Sequence, residues 1–456
     1  MVSIAIPQFY RSCLFQIIIV GLVAFCEPGI WTALNNLGAG GQATPWLNNA
    51  ANALTYGIMS FGCTIAGGIS NKISAKWTLV IGAAFYTPYA AGLYCNNRYG
   101  NEWFMLLGAV LCGIGASLLW ASEAAIAVGY PEEKKRGRYV GIWMCIRQLG
   151  PLVGGAISLA LNVKTTHAGK VSYNTYLGLI AISSLGAPFA LLLSQPDKVV
   201  RSDGTKIPYM KQTSISIEAR ALWKQMKSRR ILLLIPVFIA GQWGVTYQGN
   251  YLTGYFTVRA RALASLLTAI VGFAGNILTG IILDLNLAKP KWVYVVIAFF
   301  ITASWAWIAA VQAEFSSKSE APTTLDIGSG KTFNSAFVVY LLFKFFYEML
   351  QTYLYWLMGE TGAEQKAGDI SRTTGILRSW ESVGSTFAYV VGATHWSNLN
   401  SMILAFVLWA VTVPFTLIAV FGVWDKTEEV DSGGEGNKSS SSLEEETVIV
   451  GSEEKV

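Results

Sequence analysis

Apolar runs recur along this chain at about 12–36, 47–70, 77–95, 103–129, 139–162, 173–194, 231–255, 262–284, 292–312, 334–358, 375–394 and 400–424. A helix needs ~20 apolar residues to cross the hydrocarbon of a bilayer. Within lipid, only helices and closed barrels satisfy every backbone N–H and C=O. Twelve runs of this length predict an all-α integral membrane protein. Composition agrees, with 53% hydrophobic and 13% charged residues and a mean hydropathy of +0.44. A soluble domain carries ~25% charged residues, about twice as many. The first run continues past Pro28 without a small-residue cleavage site, so it reads as a retained helix rather than a leader.

A pI near 8.8 raises the question of nucleic acid, but the placement of the charge answers it. Lys and Arg gather in the connections between apolar runs, as membrane orientation requires, and the bilayer rather than nucleic acid is the expected partner. With a cytoplasmic N-terminus, one side holds Arg11, Lys72, Lys76, the 134–138 cluster and nine basic residues in 195–230. The same side takes Lys289, Lys291, Lys366, Arg372 and the tail. The opposite side holds seven: Arg98, Lys164, Lys170, Arg259, Arg261, Lys318 and Lys331. Both termini are therefore expected in the cytoplasm, with His167 and His395 in outer loops. Cysteines 13, 26, 63, 95, 112 and 145 lie in or beside apolar runs without metal-ligand spacing, which predicts buried thiols. The chain has no phosphate loop, nucleophile triad or metal constellation, so neither an enzyme nor a resident cofactor is expected.

The chain also repeats itself. "EPGIWTALNNL" from Glu27 aligns without a gap with "QWGVTYQGNYL" from Gln242. Glu27 meets Gln242, and Asn35 meets Asn250. "GGISNK" from Gly67 resembles "GIILDL" from Gly280, and "GIWMCIRQLG" from Gly141 aligns with "GILRSWESVG" from Gly375, placing Arg147 opposite Glu381. Equivalent runs lie six apart in the same orientation, the pattern of parallel repeats about an axis along the membrane normal. The expected organisation is one six-helix bundle over 1–194, a basic cytoplasmic linker over 195–230, and a second bundle over 231–424. An acidic, low-complexity tail over 425–456 is expected to be disordered.

Two pseudo-symmetric six-helix halves resemble the major facilitator superfamily. "GGISNKISAKW" (67–77) is similar to that family's loop between spans two and three, with Lys72 and Lys76 as its cations. Asn71 stands where the family has an acid, and Ser74 where it usually has a glycine. "GPLVGG" (150–155) resembles the core of a span-five antiporter motif, and close helix packing is the better explanation of it. "ALNNLGAGGQ", "LLWASEAAIAVGYPEEKKRGRYVGIW" and "YWLMGETGAEQKAGDISRTTGILRSWESVG" resemble the fungal side of the Unc-93-like branch over about 12–424. The resemblance implies a major-facilitator-like fold whose spans one and seven line a central cavity. It leaves two functions open: transport of a small-molecule or ion substrate, and service as a trafficking or regulatory partner of other membrane proteins.

A charge at mid-bilayer costs ~2.5–3.5 kcal/mol or more, so each one needs a partner or a cavity. Glu27, Trp31 and Asn35 fall on one face at i, i+4 and i+8, matched by Gln242, Thr246 and Asn250. Pro28 lacks an N–H, which predicts a bend at the carboxylate. Asn48 and Asn49 suit helix capping, while Asn52, a turn deeper, is a cavity candidate. Lys344 and Glu348 form an i, i+4 pair. With Glu123, Arg147, Arg378 and Glu381 they complete the candidate substrate and proton site. Arg147 is the first candidate for an anionic group, since guanidinium binds carboxylate bidentately; the alternative is a pair with Glu123. Glu27 is the first candidate for proton coupling. Asn71, Lys72, Lys76 and Asp284 form the candidate gate. The expected function is secondary transport by alternating access; the absent acid at Asn71 favours the non-transporting alternative.

The charge bias makes a topological prediction. The segment 195–230 should resist protease added outside intact cells, and the sequon at Asn437 should stay unglycosylated. Glycan on Asn437 would reverse the orientation.

Overall fold

The computed structural model describes residues 8–37, 45–162, 164, 170–207, 215–317, 324–360, 367–394 and 396–422. The expectations for the tail, Lys366, both histidines and the glycines at 38–41 lie outside the described residues. The chain runs through α1 (Cys13–Asn36), α2 (Pro45–Ile73), α3 in two pieces (Ala75–Ala84 and Thr87–Tyr99), α4 (Glu102–Gly129), α5 (Arg136–Asn162) and α6 (Tyr173–Leu191). After the linker come α7 (Arg229–Tyr255), α8 (Val258–Asp284), α9 (Pro290–Ser317), α10 (Lys331–Glu360), α11 (Ala367–Gly392) and α12 (Asn398–Gly422). Ten of these are long and apolar enough to cross a membrane. The other two are α3, which is cut in two, and α11, which carries Arg372, Arg378 and Glu381.

Prolines explain the interruptions. Pro28 cannot donate to the carbonyl of Ala24. At the place where a bend is expected, the backbone widens into a π-turn over Phe25–Gly29 with helical dihedrals at both ends, the usual form of such insertions. Runs expected to be continuous at 77–95 and 173–194 are broken, α3 after Ala84 and α6 after Ser183. Pro88 and Pro188 each remove the donor that would have met the carbonyl four residues back, Ala84 and Ser184, so each starts a new helical piece. Asn48 and Asn49 were expected to cap α2, but the helix starts at Pro45 and places both inside its first turn.

The helix contacts repeat under a shift of six. Within the first half α1 packs on α5, and both α2 and α3 pack on α4; within the second α7 packs on α11, and both α8 and α9 pack on α10. The two most extensive helix seams, α5 with α8 and α2 with α11, join the halves and exchange under the same shift. The aligned glycines show why. Gly141 faces Asn276 O on α8, and Gly375 faces Cys63 O on α2, where an added Cβ would sit 3.3 and 2.8 Å away. Their aligned successors Gly150 and Gly384 press on the backbones of Gly29 and Ile239, within the halves, leaving no room for a Cβ. Glycine at these four positions lets helix backbones touch. Gly154 and Gly155 of the "GPLVGG" segment likewise abut Ala33 and Leu266.

The linker is fastened to the first half. Val200 bridges to Ser12, Arg201 Nε donates to Tyr130 O at 2.8 Å, and Ser202 Oγ donates to Glu132. A linker helix, Ile215–Met226, then leads to α7 and touches α2, α7 and α11. All six cysteines are free thiols.

Ser74, between α2 and α3, adopts φ 84° and ψ 149°, a region that costs a non-glycine residue ~1–3 kcal/mol. Its buried hydroxyl has no partner. Ser74→Gly should therefore stabilise the protein by about 1 kcal/mol, read as a higher unfolding temperature in detergent. An unchanged or lower temperature would mean the strain is relieved elsewhere.

Candidate functional site

Between the halves lies a cavity of about 100 Å³. Helices α1, α2, α3, α4, α5, α7, α10 and α11 all contribute to its wall. From α10 comes one helical stripe, Tyr340, Lys344, Tyr347, Glu348, Gln351 and Tyr355. Spacings of three and four put these residues on one face. The same spacing is legible in the sequence. Arg147 enters from α5, Gln242 from α7, Arg378 from α11 and Asn35 from α1. Trp120 and Tyr389 carry no sequence signal as lining residues; tertiary packing alone brings them to the wall.

Its central ion pair crosses the halves. Arg147 Nη2 donates to Glu348 Oε2 at 2.8 Å, with both side chains almost fully buried. Neither expected local pairing forms. Glu123, the alternative partner of Arg147, accepts from Trp143 Nε1 at 3.2 Å. Lys344, expected to pair with Glu348 one turn away, makes no salt bridge among the described residues; its Nζ lies 5.9 and 5.7 Å from the ring centres of Tyr340 and Tyr347. Glu348 is drawn instead to Arg147, whose fork can bond it directly. Arg378 donates to Glu381 Oε2 at 2.7 Å and lies 3.9 Å over the ring of Trp120 on the other half. Glu381 and Glu123 sit behind the wall rather than on it.

The remaining polar atoms divide by chemistry. Buried and without a protein partner among the lining residues are Trp31 Nε1, Arg147 Nε, Gln351 Nε2, Tyr355 OH and Arg378 Nε. Every one of these can donate a hydrogen bond. Buried donors normally find acceptors in protein, water or ligand, so these five are open to a group that can accept from them.

Glu27 is placed elsewhere. It is 1% exposed and faces α6, where Ser183 Oγ donates to its Oε2 at 2.9 Å. Thr87 bonds Ser183 in turn at 3.2 Å, so the interruptions of α1, α3 and α6 meet at this carboxylate. The other oxygen of Glu27 packs against Gly186, where a Cβ would collide, and has no partner. The π-turn separates it from Trp31 and Asn35, which do line the cavity. Asn52 lies just behind, donating to Asn35 Oδ1 at 2.7 Å and accepting from Tyr89 at 2.8 Å. Asn250 accepts from Asn49 at 3.3 Å, and Asn49 also reaches Gly392 O at 2.8 Å. That cluster ties α2, α7 and α11 at the end of the molecule opposite the linker.

At the linker end Asp284 crosses the α5–α8 seam. Its Oδ2 accepts from the backbone N and the Nε of Arg138, at 2.7 and 3.0 Å. Lys72 and Lys76 are not its partners: Lys76 Nζ lies 5.7 Å from the Trp77 ring, while Lys72 is exposed and Asn71 half-buried on the last turn of α2. On the same side Gly359 of α10 packs against Val128 and Arg136, so α4, α5, α8 and α10 converge there.

Comparison with known proteins matches this architecture. The family model of the Major Facilitator Superfamily matches residues 13–389. The chain is 32% identical over 399 residues to the notoamide biosynthesis cluster protein O' of Aspergillus versicolor, covering 87% of this chain and 86% of that one. It is 28% identical to UNC93-like protein 1 of Arabidopsis thaliana, covering 90% and 91%, and 29% identical to an UNC93-like protein of Schizosaccharomyces pombe, covering 93% and 84%. Its fold is similar to that of the proton:xylose symporter XylE bound to 6-bromo-6-deoxy-D-glucose, with a TM-score of 0.61 at 12% identity over 90% of this chain and 95% of that one. The chain belongs to the Major Facilitator Superfamily and within it is similar to UNC93-like proteins of a plant and a yeast.

The cross-half pair makes a stability prediction. Arg147→Met or Glu348→Leu alone strands a buried charge and should cost about 3–5 kcal/mol. The double variant should recover most of that loss, read by thermal unfolding in detergent. Additive losses would show that the two charges are not coupled.

Proposed function

We propose that the protein is a secondary transporter of a small anionic solute, working by alternating access. The observation that carries this reading is the set of unpartnered donors around Arg147, Lys344 and Arg378, on a wall whose single carboxylate, Glu348, is already held by Arg147. An anion entering the cavity competes with Glu348 for Arg147. Glu348 is then a buried carboxylate deprived of its partner, a state that is strongly unfavourable while charged. Taking up a proton relieves it, and solute and proton move together. Rocking of the halves about the α5–α8 and α2–α11 seams would expose the site to each side in turn. Asp284 with Arg138 would latch the linker side, and the Asn49–Asn250–Gly392 cluster the other. The linker and both termini would face the cytoplasm.

Within this reading Glu27 is a structural acid of the first half rather than the coupling group. A second reading rests on Asn71, which stands where the superfamily has an acid: a chain that escorts or regulates other membrane proteins without moving solute.

Reconstituted vesicles separate these readings. Small carboxylates and phosphates should accumulate when a pH gradient is imposed. Glu348→Gln should keep exchange across the membrane and lose gradient-driven accumulation, and Glu27→Gln should keep both. Loss of accumulation in Glu27→Gln, with Glu348→Gln intact, would move coupling into the first half. No exchange of any anion by well-folded protein would favour the escort reading.

A further inference from the structure

Aromatic rings line both sides of the cavity, with Tyr340, Tyr347, Tyr355 and Tyr389 on α10 and α11, but the charge lies on one side, and that asymmetry narrows the class of solute. Helices α1 to α4 present Trp31, Tyr56, Tyr86 and Trp120 and not one charged side chain. All the charge on the wall comes from α5, α10 and α11: Arg147, Lys344, Glu348 and Arg378. After the Arg147–Glu348 and Arg378–Glu381 pairs, the ammonium of Lys344 is left without a carboxylate in salt-bridge contact among the described residues. The aromatic side is ordered for ring contact. Tyr56 stacks on Tyr389 across the halves at 5.6 Å and 16°, and Trp31 meets Tyr56 edge-on at 5.7 Å and 81°.

From this two-faced lining we infer that the substrate is a planar aromatic carboxylate of single-ring size. The inference rests on the anionic reading above and deepens it. A ring against Trp31, Tyr56 and Trp120 gains the offset and edge-to-face contacts that aromatic pairs prefer. The carboxylate then reaches Lys344 and the free donors of Arg147 and Arg378. Each alternative leaves one wall unused. Acetate or phosphate satisfies the cations and leaves the aromatic wall unmatched. A neutral sugar packs on the rings and leaves the cations unmet. The cavity, about 100 Å³, is smaller than the ~150 Å³ of an engineered apolar cavity that accepts benzene, so it leaves no room for more than one ring.

Calorimetric titration of the purified full chain in detergent tests this with five probes: benzoate, cyclohexanecarboxylate, benzyl alcohol, acetate and inorganic phosphate. Benzoate should bind best, with the saturated ring about tenfold weaker and benzyl alcohol, acetate and phosphate weaker still. Lys344→Gln should weaken benzoate about tenfold, the loss of one charged hydrogen bond. Tyr56→Leu should abolish the preference for benzoate over cyclohexanecarboxylate, and thermal unfolding should verify that both variants are folded. If cyclohexanecarboxylate, acetate or phosphate binds as well as benzoate, the aromatic class is wrong while the anionic reading stands. If benzyl alcohol binds and no anion does, the anionic reading itself falls. If none of the five binds to folded protein, both fall.

Discussion

One guanidinium and one carboxylate, 2.8 Å apart at the joint between two helical bundles, set the terms for the rest of this molecule. Arg147 belongs to the first half and Glu348 to the second. Neither half supplies its own partner for these charges: Glu123 turns to Trp143, and Lys344 stays over its tyrosines. A lone charge at this depth is too costly to leave exposed to lipid, so each half needs the other. The bond that joins them also lies on the cavity wall, so in the proposed transport cycle an anionic solute would compete for the same atoms that hold the halves together.

The seams around that joint are made of glycine, small hydroxyls and backbone. Gly141 and Gly375 let α5 meet α8 and α2 meet α11, and along the second seam Thr64 and Ser379 share a 2.6 Å hydrogen bond. Polar ties concentrate at the two ends, Asp284 with Arg138 at the linker end and Asn49 with Gly392 at the other. Some polar contacts of the first half close locally, as Ser183 does with Glu27 Oε2. Under the proposed alternating access, contacts closed within a half would move with it, and those that cross between halves would be the ones to break.

Much of the architecture was legible because it rests on periodicity. The apolar runs defined the helices, and the repeat predicted which helices would exchange places. What escaped has specific causes. The breaks in α3 and α6 were signalled by Pro88 and Pro188, yet hydropathy alone carried both runs through them. Glu27 looked like a neighbour of Asn35 on one face because i+4 spacing was applied across residues that form a π-turn, where an extra residue changes the register. The same turn places Glu27 behind the wall while its aligned counterpart Gln242 lines it. Lys344 and Glu348 obeyed the i+4 rule in position but not in pairing, because a better partner arrived from another helix. Ser74 in a glycine position was visible in the sequence, and the structure supplied the reason in its positive φ.

The central claim is that two halves, joined at the Arg147–Glu348 pair, move against each other to expose one cavity to both sides. Pulsed electron spin distance measurements test it directly. Nitroxides would be placed on Lys134 and Leu287 at the linker end, and on Tyr99 and Ile327 at the other, all at exposed sites. On changing pH or adding a binding carboxylate, the account predicts that one pair lengthens while the other shortens. A single distance at each end, unchanged under every condition, would contradict alternating access and leave the protein a fixed partner for other membrane proteins.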